Sequence, residues 1–135
     1  MSVTTARYQV DQQRKRDPRP VTTGRMWSRR STEHPECVIA RVEGELDAVL
    51  HEELRTLLEQ CRAGLCHAVV LDLRATTFMS IRAAVILAEA KATAWRAGVE
   101  LRVVSGRKEV ERALVVAGVR HQFQYFPSLN RALTS

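Results

Sequence analysis

Aromatic side chains are scarce in this chain: Phe, Trp and Tyr together make up 5% of its 135 residues. The core must therefore come from branched aliphatic residues and alanine, which a hydrophobic content of 45% supplies. Long apolar runs are missing too. No window approaches the ~18 consecutive apolar residues that cross a bilayer, so no membrane span is expected. Cysteine is sparse and odd in number. Cys37, Cys61 and Cys66 have no framework spacing, which fits a reducing cytosol. Cys61, Cys66 and His67 hold ligand chemistry, but no fourth ligand accompanies them, and neither a metal nor a cofactor is expected. A phosphate-cradling glycine loop and a Ser-His-Asp order with a nucleophile elbow are both lacking, which argues against an enzyme. Lysine is rare, 3 against 18 arginines, the composition of a GC-rich bacterial genome rather than a mechanism.

Charge of one sign is confined to one end. Residues 1–30 hold eight arginines and lysines against Asp11 and Asp17, a net of +6, while residues 31–135 hold 13 basic and 13 acidic side chains. The bulk of the chain has no surplus with which to hold a polyanion, so direct nucleic-acid binding is not expected of it. Residues 1–23, with Arg14-Lys15-Arg16-Asp17-Pro18-Arg19-Pro20, read as a disordered basic tail, and 24–135 as one domain. The tail is either a solvated extension or a weak electrostatic contact for RNA, anionic lipid or an acidic partner. It lacks the apolar segment of a secretory signal.

What is present alternates between strand and helix patterns. Met26–Arg30 and Cys37–Val42 read as strands around a turn at Ser31–Glu36, and Glu43–Asp47 as a loop in which Asp47 can cap a helix. From Ala48 to Arg62, Val49, Leu50, Leu54, Leu57, Leu58 and Cys61 recur at helical steps, with His51 on the polar side. His67–Leu73 is an apolar run of the kind buried on both faces. A polar connector, Thr76–Ala83, leads to a helix from Ile81 to about Ala97, closed by Gly98. Val99–Val104 reads as a strand, Lys108–Ala117 as a helix closed by Gly118, His121–Phe126 as a short strand and Leu129–Leu133 as a last helical turn. The order implies an α/β fold: a four- to five-stranded, mainly parallel sheet with an antiparallel edge strand from the initial hairpin, flanked by about four helices. The connector then lies at the carboxyl end of the central strand, the usual edge for binding.

Three stretches carry a resemblance. Val42-Glu43-Gly44-Glu45-Leu46-Asp47, then Val70-Leu71-Asp72-Leu73 with Thr77-Phe78-Met79, then Gly98–Val104 with Val110 and Leu114 to Gly118, match in order and spacing the STAS domains. The chain resembles their small bacterial members, the anti-sigma-factor antagonists, from about Arg25 to Ala132. The resemblance implies the STAS fold and a phosphorylation switch. In such antagonists the loop reads Phe-Met-Asp-Ser-Ser-Gly-Leu, and an anti-sigma factor that is itself an ATPase-fold serine kinase phosphorylates its first serine. Added phosphate, about −1.5 to −2 in charge, can break the protein contact at the helix start.

At that site this chain departs. Ser80 falls on the aspartate, Ile81 on the acceptor serine, Arg82 on the second serine and Ala83 on the glycine. Ile81 has no hydroxyl, so phosphate cannot be attached there. Ser80 is either the helix N-cap or a displaced phosphoacceptor. Asp47 and Asp72 read as capping and turn carboxylates. The expectation is a cytoplasmic regulator of transcription that docks an anti-sigma factor through Asp47, Thr77, Met79, Ser80, Ile81 and Arg82, without the usual phosphorylation. A non-catalytic scaffold that assembles with itself or other STAS proteins, and a small-ligand or nucleotide-binding module, are the alternatives.

Overall fold

The computed structural model describes residues 25–47, 52–56, 59–60 and 66–135. The expectations for the tail, for His51 and for Cys61 lie outside these residues.

Strand β1, Arg25–Arg30, pairs antiparallel with β2, Cys37–Leu46, in a register that sets Arg25 opposite Glu43 and Arg30 opposite Val38. The intervening turn is closed by Ser31. Its backbone N–H donates to the Cys37 carbonyl (2.9 Å), and its hydroxyl accepts from the His34 N–H (3.0 Å). Helix α1 is helical at 52–56 and 59–60, with Leu54 fully buried. Strand β3, Ala68–Asp72, is buried at all five positions and runs parallel to β2, as its unbroken apolar run requires. Strand β4, Thr76–Met79, follows almost at once and leads into helix α2, Ile81–Arg96. Strand β5, Glu100–Val104, helix α3, Lys108–Val116, strand β6, Gln124–Phe126, and helix α4, Leu129–Thr134, complete the described order. The sheet runs β1-β2-β3-β5-β6, and all pairs but the first are parallel.

The larger core lies on the face covered by α2 and α3. Val38, Ala40 and Val42 of β2 and Val69 and Leu71 of β3 meet Ala83, Ala84, Leu87 and Ala88 of α2 and Val110, Ala113 and Leu114 of α3. The alanines let α2 approach the sheet closely, and each fully buried leucine contributes about 1.5–3 kcal/mol. The opposite face holds a small cluster, Val70, Val104 and Ala132, covered by α4. There Arg102, almost wholly buried, donates to the Ala132 carbonyl (2.8 Å) and to Glu100 (3.0 Å), fastening α4 to the sheet.

Three stretches differ from the sequence reading. Glu43–Leu46 belongs to β2 rather than to a loop. Gly44, at φ 81°, gives the strand a local kink that a residue with a Cβ resists, and pairing continues beyond it. The polar connector is partly strand β4, because the carboxyl half of β2 offers it a partner: β2 pairs with β3 through Cys37–Arg41 and with β4 through Gly44–Leu46. The sheet thus has six strands. His121–Phe126 divides into a 3-10 turn, Arg120–Gln122, and the short β6.

Candidate functional site

The register of β4 shapes the site. Gly44 faces Thr76, but Glu45 faces Phe78 and Leu46 faces Met79, so Thr77 is an extra residue with no partner on β2. A bulge of this kind breaks strict in-out alternation. Thr76 and Met79 point inward, and Thr77 and Phe78 both point to solvent. The inward pair is anchored: the Thr76 hydroxyl donates to the Val42 carbonyl (2.8 Å), and Met79 is packed in the main core.

Ser80 then starts α2. Its backbone is extended (φ −73°, ψ 156°), its N–H donates to the Leu46 carbonyl (2.9 Å), and its hydroxyl oxygen accepts from the Ala83 N–H (3.0 Å). That is the geometry of an N-cap. The bond to Leu46 also brings Asp47, the residue that follows β2, to the edge where Ser80 lies. Ile81 and Val85, four residues apart on one helix face, are 51% and 38% exposed, and Phe78 just before them is 45% exposed. Arg82 is exposed and makes no ion pair among the described residues. The surface is therefore apolar at its centre, with Thr77, Ser80, Arg82 and Asp47 as polar neighbours.

Of the six residues expected to dock a partner, Asp47, Thr77, Ser80, Ile81 and Arg82 reach this edge. Met79 does not: it is 1% exposed and supports the surface from beneath. Phe78 and Val85 were missing from the expected set. The helical spacing of Val85 from Ile81 was visible in the sequence, whereas the outward turn of Phe78 depends on the bulge.

Asp72 closes the turn between β3 and β4. Its carboxylate accepts from the Arg74 N–H (3.1 Å) and from the Arg74 guanidinium (2.9 Å at both oxygens), with Arg41 3.5 Å away. Burial raises its pKa, but the hydrogen bonds from Arg74 and the charges of Arg74 and Arg41 outweigh that and hold the carboxyl below its usual value. A carboxylate so engaged is a turn residue rather than a general base. Burial pushes the Cys37 and Cys66 thiols up, away from the reactive thiolate. Among the described residues no three His, Cys, Asp or Glu side chains group closely enough to hold a metal ion, and no helix is long and apolar enough to cross a membrane.

The STAS domain family model matches residues 28–132. No curated protein matches the chain. Among solved structures, an anti-sigma factor antagonist from Mycobacterium paratuberculosis superposes with a TM-score of 0.69 at 22% identity, over 85% of this chain and 95% of that one. The anti-sigma factor antagonist SpoIIAA in its unphosphorylated form gives 0.63 at 15% identity, over 79% and 91%. SLC26A9 also gives 0.63, at 18% identity, over 73% of this chain but 19% of that much longer one.

Proposed function

The chain belongs to the STAS domain family, and from that premise we propose that it is an antagonist-type regulator that docks an anti-sigma factor through the β4–α2 edge. The observation that carries this reading is the exposed trio Phe78, Ile81 and Val85 at the start of α2, with Arg82 beside it. Clustered exposed apolar side chains on ordered backbone cost the isolated domain solubility, and a protein partner that covers them repays that cost. The partner is an anti-sigma factor of the ATPase-fold serine-kinase type, and the protein is a bacterial cytoplasmic regulator without catalysis of its own.

Its departure from the switch gives the proposal its particular form. Ile81 offers no oxygen for a phosphoester, and the Ser80 oxygen is engaged with the Ala83 N–H. Docking is therefore constitutive and insensitive to ATP. Titration calorimetry with purified anti-sigma kinases of the same genome, run with and without ATP, tests this, with intact-mass spectrometry of the product. One of them binds equally in both conditions, the mass is unchanged, and Ile81→Asp weakens binding at least about tenfold, or ~1.4 kcal/mol. Phosphate on Ser80 with loss of binding means a displaced switch instead. Full binding by Ile81→Asp means that the edge is not the contact.

A scaffold role is the second reading, favoured by the likeness to SLC26A9, in which the matched region is a small part of a larger protein. Recovery of STAS proteins or of the chain itself, in place of a kinase, decides for it.

A further inference from the structure

A second exposed surface lies at the far end of α2. Helices α2 and α3 each lead back to a strand parallel to the one before, so their last turns finish at one edge, where β3 and β5 begin. Trp95 near the end of α2 is 65% exposed, and Val115 and Val116 at the end of α3 are 59% and 60% exposed. In a chain with two tryptophans, leaving one in solvent is a conspicuous use of apolar area. A hollow of about 230 Å³ opens beside it, lined by Lys91, Ala92, Trp95 and Gln122 of the 3-10 turn. Fourteen residues of helical rise put Trp95 about 21 Å from Ile81, so this is a separate surface from the β4–α2 edge.

The two helices carry three cations toward their ends. Lys91 lies over the Trp95 ring, with Nζ 5.6 Å from the centroid. Arg96 and Arg112 are exposed, and neither they nor Lys91 make an ion pair among the described residues. The acids of the two helices are engaged or directed elsewhere. Glu111 accepts from Arg120 and Ser105, Glu89 lines the cleft shared with Arg55 and Glu59, and Glu109 lies in the first turn of α3. Cations facing cations oppose a second copy pairing through the same patch. The hollow beside the indole suits an inserted side chain better than a flat bilayer.

We propose that this surface docks an acidic amphipathic helix of a protein partner, its aliphatic side seated beside Trp95 and its carboxylates meeting Lys91, Arg96 and Arg112. The proposal does not depend on what binds at Ile81. Trp and Arg are the usual anchors of such contacts, and a cation over the indole is itself available to a carboxylate.

The test follows the indole N–H resonances of the full-length labelled chain, assigned with Trp95→Phe. Three probes are added: a helical peptide of about sixteen leucines and glutamates, the same peptide with lysine for glutamate, and phosphatidylglycerol vesicles. The glutamate peptide shifts the Trp95 resonance and leaves Trp27 in place. Its affinity falls about tenfold in Lys91→Gln/Arg96→Gln/Arg112→Gln and falls again between about 50 and 300 mM salt. The triple variant keeps the native spectrum elsewhere, because all three side chains are outside the core. Equal binding of both peptides, no response of Trp95 to the glutamate peptide, or a response to the vesicles alone overturns the proposal.

Discussion

Asp72 and Arg74, two residues apart, are joined three times over: the carboxylate accepts from the Arg74 backbone N–H and from both ends of its guanidinium. The side chain of Asp72 is 2% exposed and that of Arg74 43%, so one partner is buried and the other is screened by solvent. Asp72→Ala leaves the Arg74 N–H and the turn without an acceptor. It is expected to cost about 1–3 kcal/mol, seen as a lower urea midpoint at unchanged slope. Asp72→Asn keeps an acceptor for the N–H and costs less.

The same pair sets a pH dependence. The folded-state pKa of Asp72 is depressed, so its contribution is fully present above the unfolded carboxyl value of ~3.9 and is lost as pH falls through the lower folded value. The stability gap between wild type and Asp72→Asn should therefore be constant near neutrality and close below about pH 4. Urea melts at stepped pH measure it. A gap unchanged down to pH 2 would show that the ion pair contributes nothing.

Ser80→Ala removes the acceptor of the Ala83 N–H and should lower stability by about 1 kcal/mol. Ser80→Asp restores a cap and places negative charge at the positive end of α2, so it should recover that loss. Thermal unfolding of the two variants separates the structural use of Ser80 from any signalling use.

Arg82 puts a cation in the first turn of α2, the unfavourable end of the helix. Arg82→Glu is expected to raise stability by about 0.3–1 kcal/mol while weakening partner binding. Opposite signs in the two measurements would mark Arg82 as a residue kept for contact at a small cost to the fold.

Arg102→Met keeps volume but drops the bond to the Ala132 carbonyl. Hydrogen exchange in α4 should quicken at least tenfold, with β3 unaffected, because the bond from the buried guanidinium to the helix has been cut. Exchange unchanged in α4 would mean that Val70, Val104 and Ala132 hold the helix by themselves.

Much of the fold was legible because the signals were long or chemically specific. The apolar run at His67–Leu73, the alanine-rich α2, the glycines at 98 and 118 with φ of 80° and 75°, and the serine before Ile81 each admit few conformations. β4 was not legible. Four residues beginning Thr-Thr carry no alternating pattern once a bulge interrupts them, and their partner is the distant half of a strand that also serves β3. The site suffered for the same reason: which of Phe78 and Met79 faces outward follows from where Thr77 is inserted.

That inserted residue has a further consequence. With Thr77 and Phe78 both outward while Thr76 and Met79 stay anchored, β4 offers two adjacent positions where side chains can vary without disturbing the interior. Ile81, Arg82 and Val85 add three more on the first turns of α2. Under the proposed docking, the residues that hold the fold and those that choose the partner are different residues of the same short stretch. Duplicated copies of such a gene could diverge in whom they recognise while folding alike.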